Sequence, residues 1–437
     1  MTGAAAAEIF RVIDEAEGDV IGLLQALVGL QHDGEEAVQS LVIQRLSAAG
    51  ADVEALRYEP RDVPLVDEFA AGAADARGER RSIVGRFDGQ AAEGRSLIIF
   101  AHPDSEPTAS ARHWSRPPFS ASIHDGRVYG WGIADDLAGV ATGIAAMEMI
   151  ARAGIRLAGD VIFASTPSKN NARGVAAVLH QGYDADAALY LHPAESGVGM
   201  HEIKALTSGQ LEFAITVSGM PPETHEPGQT AFSHLGVNPL DKALALIWAL
   251  KALDAERATR VTHRLLDAAV GRSTNLMISS IDFGGTAPLW RMPETLTFSG
   301  AISFPPGEKL EAVQKEVEAA LHAAIAADPF LTENPPRLDW LSGVTGIEVA
   351  ATHPLYQTLS DAIAEVCGFE PEVNPMHTSS DIRNPIVQKG IPTLGFGPLC
   401  GDLTHAGGID EWVDREDYLR AVKVTAASII GWCGVVQ

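Results

Sequence analysis

Short apolar segments alternate with segments of helical periodicity along most of this chain, and no other feature limits its fold as strongly. The strand-like runs lie at residues 97–100, 161–164, 188–191 and 393–396. Helical segments such as Val140–Ala151 and Gly174–Gln181 separate them. Because each connection between such strands has to cross the sheet, the alternation predicts an α/β domain with helices on both faces of its sheet.

The alternation breaks at Gln210–Ser218, where apolar residues at every second position give the period of a strand with one buried face. Further helical and strand-like segments of similar character follow it and make a unit of ordinary domain size. We therefore predict an α/β domain built from residues 1–207 and 326–437, interrupted by an inserted α+β unit over residues 208–325.

The composition excludes some classes of partner. A formal net charge of −25 over 437 residues repels nucleic-acid phosphates and anionic lipid headgroups, so we expect neither a nucleic acid nor a membrane as partner. Cys367, Cys400 and Cys433 lack the spacing of a disulfide framework or of a thiolate zinc site. Free thiols, together with an N-terminus that lacks a signal-peptide pattern, favour a cytoplasmic location.

Polar residues with metal-binding chemistry follow the strand-like runs or lie in the glycine-rich turn after residue 129. They are His102, Asp104, Asp135, His192, Glu195 and His405. Taken singly, an Asp at such a place is as typical of a helix N-cap, and a His is more often a surface or core residue. Grouped at the carboxyl ends of strands in one sheet, they are the nitrogen and oxygen ligands expected for zinc or manganese.

The order of the motifs resembles a known family. The sequence contains HPD, GWGIADD, HPAES, ITVSG with a following His, GVNPLDKA, GIPTLGFGP and THAGGIDEWV. This order resembles the dinuclear metallohydrolases that include aminoacylase, acetylornithine deacetylase, succinyl-diaminopimelate desuccinylase and carboxypeptidase G, and it spans nearly the whole chain. The resemblance implies a mixed-sheet catalytic domain interrupted by a smaller dimerisation, or lid, domain, and hence a homodimer or higher homo-oligomer.

The resemblance also implies a role for each residue. His102 and Glu195 are expected to bind a first ion, Asp135 to bridge two ions, and His405 to bind the second. Asp104 is expected to hold His102 in place.

One further residue of the insertion enters through the resemblance. His225 is similar to the histidine that reaches into the partner subunit's site and polarises the scissile group. A solvated loop histidine is the alternative, because the segment Pro221–Pro222 changes the spacing from Gly219.

The chain departs from the family where an adjacent acidic pair is expected, one member as general base and the other as ligand of the second ion. No Asp or Glu occurs between Asp160 and Asp184, and Lys169 lies in this segment. A lysine cation there repels a second metal ion. We therefore predict one divalent ion per chain, Mn²⁺, Zn²⁺ or Co²⁺.

We expect His102, Asp135 and Glu195 to bind that ion, with His192 assisting or replacing Glu195. In the absence of the acidic base, His405 or His192 is expected to take the proton.

The predicted reaction is hydrolysis of a C–N bond in a small carboxylate-bearing substrate. A site without the acidic pair suits an activated electrophile, and the family includes an aminohydrolase of 5-nitroanthranilate, which would yield the hydroxy acid and ammonia. The alternatives are an N-acyl amino acid deacylase or dipeptidase, or an inactive relative that binds a ligand.

Overall fold

A mixed six-stranded sheet forms the centre of the first structural unit. The computed structural model describes residues 2–70, 78–105, 114–169, 171–193, 196–285, 288–375, 381–401 and 409–436. Within them, the strands follow the spatial order Asp52–Tyr58, Arg80–Phe87, Val161–Ser165, Leu97–Ala101, Ala187–Leu191 and Thr393–Phe396. The last four strands are parallel to one another, and the first two are each antiparallel to the next strand. The mixed sheet confirms the predicted fold class.

Helices cover both faces of this sheet, as predicted. One face packs against Thr2–Glu15, Glu17–Leu30, Glu35–Ala48, Ala138–Arg152, Pro354–Cys367 and Arg415–Cys433. The other face packs against Gly174–His180 and Arg383–Lys389. The strands Leu97–Ala101, Val161–Ser165 and Ala187–Leu191 are buried along their whole length. Burial on both faces explains why these strands are continuous apolar runs instead of alternating ones.

The second unit is an antiparallel five-stranded sheet with helices on one face. Its spatial order is Asn275–Phe283, Thr295–Phe304, Gly209–Ser218, Arg337–Val344 and Glu68–Ala70. Its helices are Pro239–Arg260, Arg264–Val270, Leu310–Ala326 and Pro329–Glu333. Burial alternates along Gly209–Ser218, whose apolar side chains face the helices, as the sequence period predicts.

The second sheet extends beyond the predicted insertion. The strand Arg337–Val344 pairs with the central strand Gly209–Ser218, so by strand pairing the unit continues past the predicted end at residue 325. Glu68–Ala70, from the first part of the chain, adds an edge strand to the same sheet. Both segments are mostly half-buried or exposed and show no clear alternation of apolar and polar residues. For this reason their sequences do not predict strands, and the strands are identified by their pairing alone.

Short elements complete the described part of the chain. A four-stranded sheet has the order Cys400–Gly401, Trp412–Asp414, Arg127–Tyr129 and Ser122–His124. Two-stranded pairs join Leu206–Thr207 to Ile347–Glu348 and Glu202–Ile203 to Glu372–Val373. Single 3₁₀ turns lie at Gln31–Asp33, Pro60–Asp62 and Gly199–His201, and a longer 3₁₀ segment spans Gln229–Leu235. Among the described helices, none has the length and apolar character needed to cross a membrane.

Candidate metal centre

Three predicted ligands meet at the carboxyl edge of the first sheet. His102 follows the strand Leu97–Ala101, His192 follows Ala187–Leu191, and Asp135 lies in the turn before the helix Ala138–Arg152. Asp135 Oδ1 is 2.9 Å from His102 Nε2 and 3.3 Å from His192 Nε2. One ligand atom from each residue lies within 4.8 Å of the others. Two imidazole nitrogens and a carboxylate oxygen suit a divalent ion such as zinc or manganese.

Lys169 occupies the other side of Asp135. Its Nζ forms an ion pair with Asp135 Oδ2, the oxygen that faces away from the two imidazoles. Lys169 lies in the loop after the strand Val161–Ser165, where the family resemblance implies an acidic pair. The carboxylate of Asp135 therefore joins a group of imidazole nitrogens to a fixed ammonium group.

Asp104 connects His102 to the loop that carries Lys169. His102 Nδ1 is 2.9 Å from the main-chain oxygen of Asp104 and 3.4 Å from its carboxylate. Donation from Nδ1 to these oxygens leaves the Nε2 lone pair directed at the ligand group. The same carboxylate accepts hydrogen bonds from the amides of Ser168 and Lys169, each at 2.9 Å. Asp104 therefore contacts both His102 and the loop that carries Lys169, and its predicted role of holding His102 stays a prediction.

Burial and pairing act against each other on the charged states of these groups. Burial disfavours the ionised forms, but hydrogen bonds and charge pairing with its acidic neighbours raise the pKa of His102. Contacts with His102 and His192 lower the pKa of Asp135 in spite of its burial. The pKa of Asp104 is also lowered, because the contact with His102 and two backbone amides outweigh burial. The carboxylates are thus held in the charged form that binds a cation.

The adjacent Asp136 has a structural role. Its buried carboxylate accepts from the amides of His102 and Gly139, each at 3.1 Å, so it ties the first strand to the start of the following helix. A Cβ at Gly139 would lie 2.2 Å from the carbonyl oxygen of Leu191, so only glycine permits this close approach of helix and strand. Asp135 thus faces the two imidazoles, whereas Asp136 binds backbone amides at the start of the helix.

Two cationic side chains, Arg80 and Lys204, support the site although no sequence pattern predicts them. Arg80 lies 3.0 Å from the carboxylates of both Asp104 and Glu35. Lys204, 1% exposed, places its Nζ 3.2 Å from His192 Nδ1 and 3.0 Å from the carbonyl oxygen of Pro193. Neither residue lies in a motif or at a strand end that the sequence marks. Lys204 lies among apolar residues, which is a weak signal of burial, whereas Arg80 stands between Glu79 and Arg81 and gives none.

Three further residues were predicted for this site. Glu195 and His405 lie outside the described residues. His225 is exposed in the second unit, and the described part of the chain offers it no hydrogen bond or ion pair. Its predicted role in a partner's site stays a prediction.

Comparisons with known proteins identify a family and a curated relative. A family model described as Peptidase family M20/M25/M40 matches residues 98–430. The chain is 29% identical over 355 residues to N-formyl-4-amino-5-aminomethyl-2-methylpyrimidine deformylase of Halalkalibacterium halodurans, an alignment that covers 78% of this chain and 79% of the relative.

Solved structures share the fold. The dipeptidase Dug1p of Saccharomyces cerevisiae aligns with a TM-score of 0.67 at 14% identity, covering 98% of each chain. Human carnosine dipeptidase 1 aligns with a TM-score of 0.66 at 16% identity, again covering 98% of each chain. The YXEP protein of Bacillus subtilis, described as a dinuclear metal-binding peptidase, aligns with a TM-score of 0.61 at 14% identity, covering 96% of this chain and 99% of that one.

Proposed function

Because this chain belongs to Peptidase family M20/M25/M40 and is therefore a metal-dependent hydrolase of C–N bonds, we propose that it works with a single divalent ion per chain. His102, Asp135 and His192 bind that ion, and Lys169 stands in place of a second one. The ion pair between Lys169 Nζ and Asp135 Oδ2 carries the proposal. In a dinuclear site that oxygen would face the second ion, and an ammonium group beside it repels any further cation.

The side chains divide the work of this site among them. When bound, the ion supplies Lewis acidity for an oxygen of the substrate or of water. The main-chain oxygen of Asp104 keeps His102 in one orientation through the Nδ1 contact at 2.9 Å. The carbonyl oxygen of Pro193, to which Lys204 also donates, accepts from His192 Nδ1 at 3.0 Å. Lys169 adds a positive charge at the ligand group, on a chain with a net charge of −25. That local charge favours a small substrate that carries a carboxylate.

The proposed substrate class is a small N-acyl compound, with an N-formyl group as the first choice. The relative from Halalkalibacterium halodurans is named as a deformylase, and a formyl carbon is open to attack with little steric hindrance. No acid occurs between Asp160 and Asp184, so the site lacks the acidic base expected there. Such a site suits a carbonyl group that is already activated. The prediction that the chain deaminates an aromatic amine such as 5-nitroanthranilate stays a competing hypothesis.

Metal analysis and a substrate panel test these statements together. Protein loaded with Mn²⁺, Zn²⁺ or Co²⁺ and freed of excess ion is expected to hold one ion per chain. The panel contains N-formyl amino acids, N-acetyl amino acids, dipeptides and 5-nitroanthranilate. Two tightly held ions would contradict the single-ion proposal, and turnover of 5-nitroanthranilate alone would replace the acyl proposal by the aromatic one.

A matched pair of variants at Lys169 sharpens the metal count. Lys169→Glu replaces the ammonium group by a carboxylate and is expected to raise the content to two ions per chain. Lys169→Met removes the charge without adding a ligand and is expected to leave the content at one. An ion content of one in Lys169→Glu would show that Lys169 does not stand in the place of an ion.

The second unit supports a homodimer. Its edge strand Asn275–Phe283 exposes Met277 and Ile281, and the neighbouring helix exposes Leu244 and Trp248, the latter to 69%. An unpaired strand edge beside apolar side chains is typical of a protein interface. Light scattering is expected to give twice the chain mass, and Trp248→Glu to weaken the association.

The cytoplasmic location and the lack of nucleic-acid or membrane partners stay predictions.

A further inference from the structure

Glu411 lies beside the turn that carries Asp135. Its main chain extends the pairing of two strands, and this pairing does not require an acidic side chain. Glu411 directly precedes the strand Trp412–Asp414, which pairs with Arg127–Tyr129. Its main-chain oxygen accepts a hydrogen bond of 3.1 Å from the amide of Gly130. The strand pairing thus continues by one residue and brings the Glu411 side chain alongside the turn.

The carboxyl group of Glu411 is buried and incompletely paired. The residue is 6% exposed, and the backbone amides of Ala134 and Gly132 favour its charged form. Its Oε2 has no hydrogen-bond partner among the described residues. A buried carboxyl oxygen without a partner is costly, and in native proteins such a group usually has a functional reason.

The charges that act on the pKa of this carboxyl belong to the candidate metal centre. Asp135 disfavours its ionisation and Lys169 favours it. Anchoring the turn does not explain an acid at this position, because the side-chain oxygen of a glutamine would accept from the same two amides. What a glutamine lacks is the ability to take and release a proton.

We propose that Glu411 is the proton-transfer group of this site and fills the role left open by the absent acidic pair. The proposal rests on the C–N hydrolysis proposed above. As the oxygen of water bonds to the substrate carbon, Glu411 accepts one of the water's protons. As the C–N bond breaks, the electron pair stays on nitrogen and Glu411 returns the proton to that nitrogen. Water is thereby split between the two products, and Glu411 ends in its starting state.

The acidity of the group agrees with this role. Burial, followed by the charge of Asp135, raises the pKa of Glu411 to about 8, against the opposing effects of Ala134, Lys169 and Gly132. A proton-transfer group works best when its pKa lies near the working pH.

The test compares Glu411→Gln with the wild-type holoenzyme on the best substrate of the panel. General acid–base groups contribute about 10²- to 10⁴-fold, so kcat is expected to fall in that range while KM and ion content stay unchanged. The pH dependence of kcat that belongs to this group is expected to disappear. Infrared spectroscopy is expected to show a protonated carboxyl band that titrates near pH 8 in the wild type and is missing in Glu411→Gln.

Asp417→Asn serves as the matched control. Asp417 is another buried carboxylate whose pKa is raised by burial, but it accepts from the amide of Leu399 at 2.7 Å and lies in the first turn of Arg415–Cys433. It is expected to keep wild-type kcat.

The outcomes separate the two proposals. A wild type without turnover on any class of the panel would overturn the proposed function, and the role of Glu411 with it. An active wild type with kcat and pH profile unchanged in Glu411→Gln would overturn only the role of Glu411. Loss of the bound ion in Glu411→Gln would make the residue a mere anchor of the turn and would also overturn the proposal.

Discussion

Two clusters of buried charge, one in each unit, show how similar groups serve different ends. In the second unit, Arg257 is 1% exposed and contacts Glu308 and Glu316, with Thr274 Oγ1 at 3.2 Å from one guanidinium nitrogen. Every charge of this Arg257 cluster has a partner on a neighbouring helix or loop. Because each charge in the cluster is paired within the protein, the cluster needs no ligand, and it adds specificity to the packing.

The cluster at the carboxyl edge of the first sheet is arranged differently. A single carboxylate, Asp135, is shared by two imidazoles and one ammonium group, and the nearby Glu411 keeps an unpartnered oxygen among the described residues. Excess nitrogen ligands and spare acceptors have no structural benefit and suit the binding of a cation and the movement of a proton. We therefore expect changes at Arg257 to affect stability and changes at Asp135 to affect chemistry.

The largest expected effect is at Asp135. Asp135→Asn keeps the shape of the side chain but removes the charge that binds the ion, and metal catalysis is worth several kcal/mol, so activity is expected to fall by at least about 1,000-fold. Turnover and ion content are measured together with circular dichroism. A folded Asp135→Asn that retains its ion and its activity would remove Asp135 from the site.

The second expected effect is at Arg257. Arg257→Ala leaves Glu308 and Glu316 without their main partner and is expected to lower the free energy of unfolding by about 3 kcal/mol, as measured by urea denaturation. Activity per folded molecule is expected to stay unchanged. The control is Arg260→Ala, which removes an exposed partner of Glu316 and is expected to cost less than about 1 kcal/mol. Equal losses in both variants would contradict the difference between buried and exposed pairing.

An intermediate effect is expected at Asp104, which supports the site without belonging to the ligand group. Asp104→Asn weakens the hold on His102 and on the Lys169 loop, and loss of such a supporting partner typically costs about 10- to 100-fold in ion affinity or activity. Ion titration and steady-state kinetics measure it. An unchanged ion affinity would mean that the main-chain oxygen of Asp104 is enough to orient His102.

The smallest expected effect concerns pH and Glu35, the second partner of Arg80. Burial raises the pKa of Glu35 to about 7, more than Arg80 lowers it. An unfolded Glu titrates near 4.3, so between these values the folded state holds a proton that the unfolded state has released. Stability is therefore expected to fall as pH rises through that window, by about 1 kcal/mol after allowance for partial exposure.

Urea denaturation of wild type and Glu35→Gln at about pH 5 and about pH 7.5 measures this effect. The decrease is expected to be smaller in Glu35→Gln, which has no proton to lose at that position. An identical pH dependence in both proteins would assign it to another group.

Several parts of the fold and site are readable from the sequence because they depend on local periodicity. The buried strands before His102 and His192 are apolar runs, and the carboxyl ends of parallel strands meet at one edge of a sheet. The half-buried strand Gly209–Ser218 alternates with a period of two. The absence of acids between Asp160 and Asp184 is likewise a property of the sequence alone.

Other features depended on the tertiary structure. Arg337–Val344 joins the second sheet through hydrogen bonds of its backbone, which its side chains do not announce. Asp135 and Asp136 are neighbours of one residue type, and only the dihedral angles of their irregular turn direct one toward the imidazoles and the other toward the helix amide. Lys169 reaches Asp135 from a separate loop, and Glu411, from near the end of the chain, lies beside the turn that carries Asp135. Periodicity reports which face of an element is buried, whereas the direction of a side chain in a turn is decided by contacts that form only when sequence-distant segments pack together.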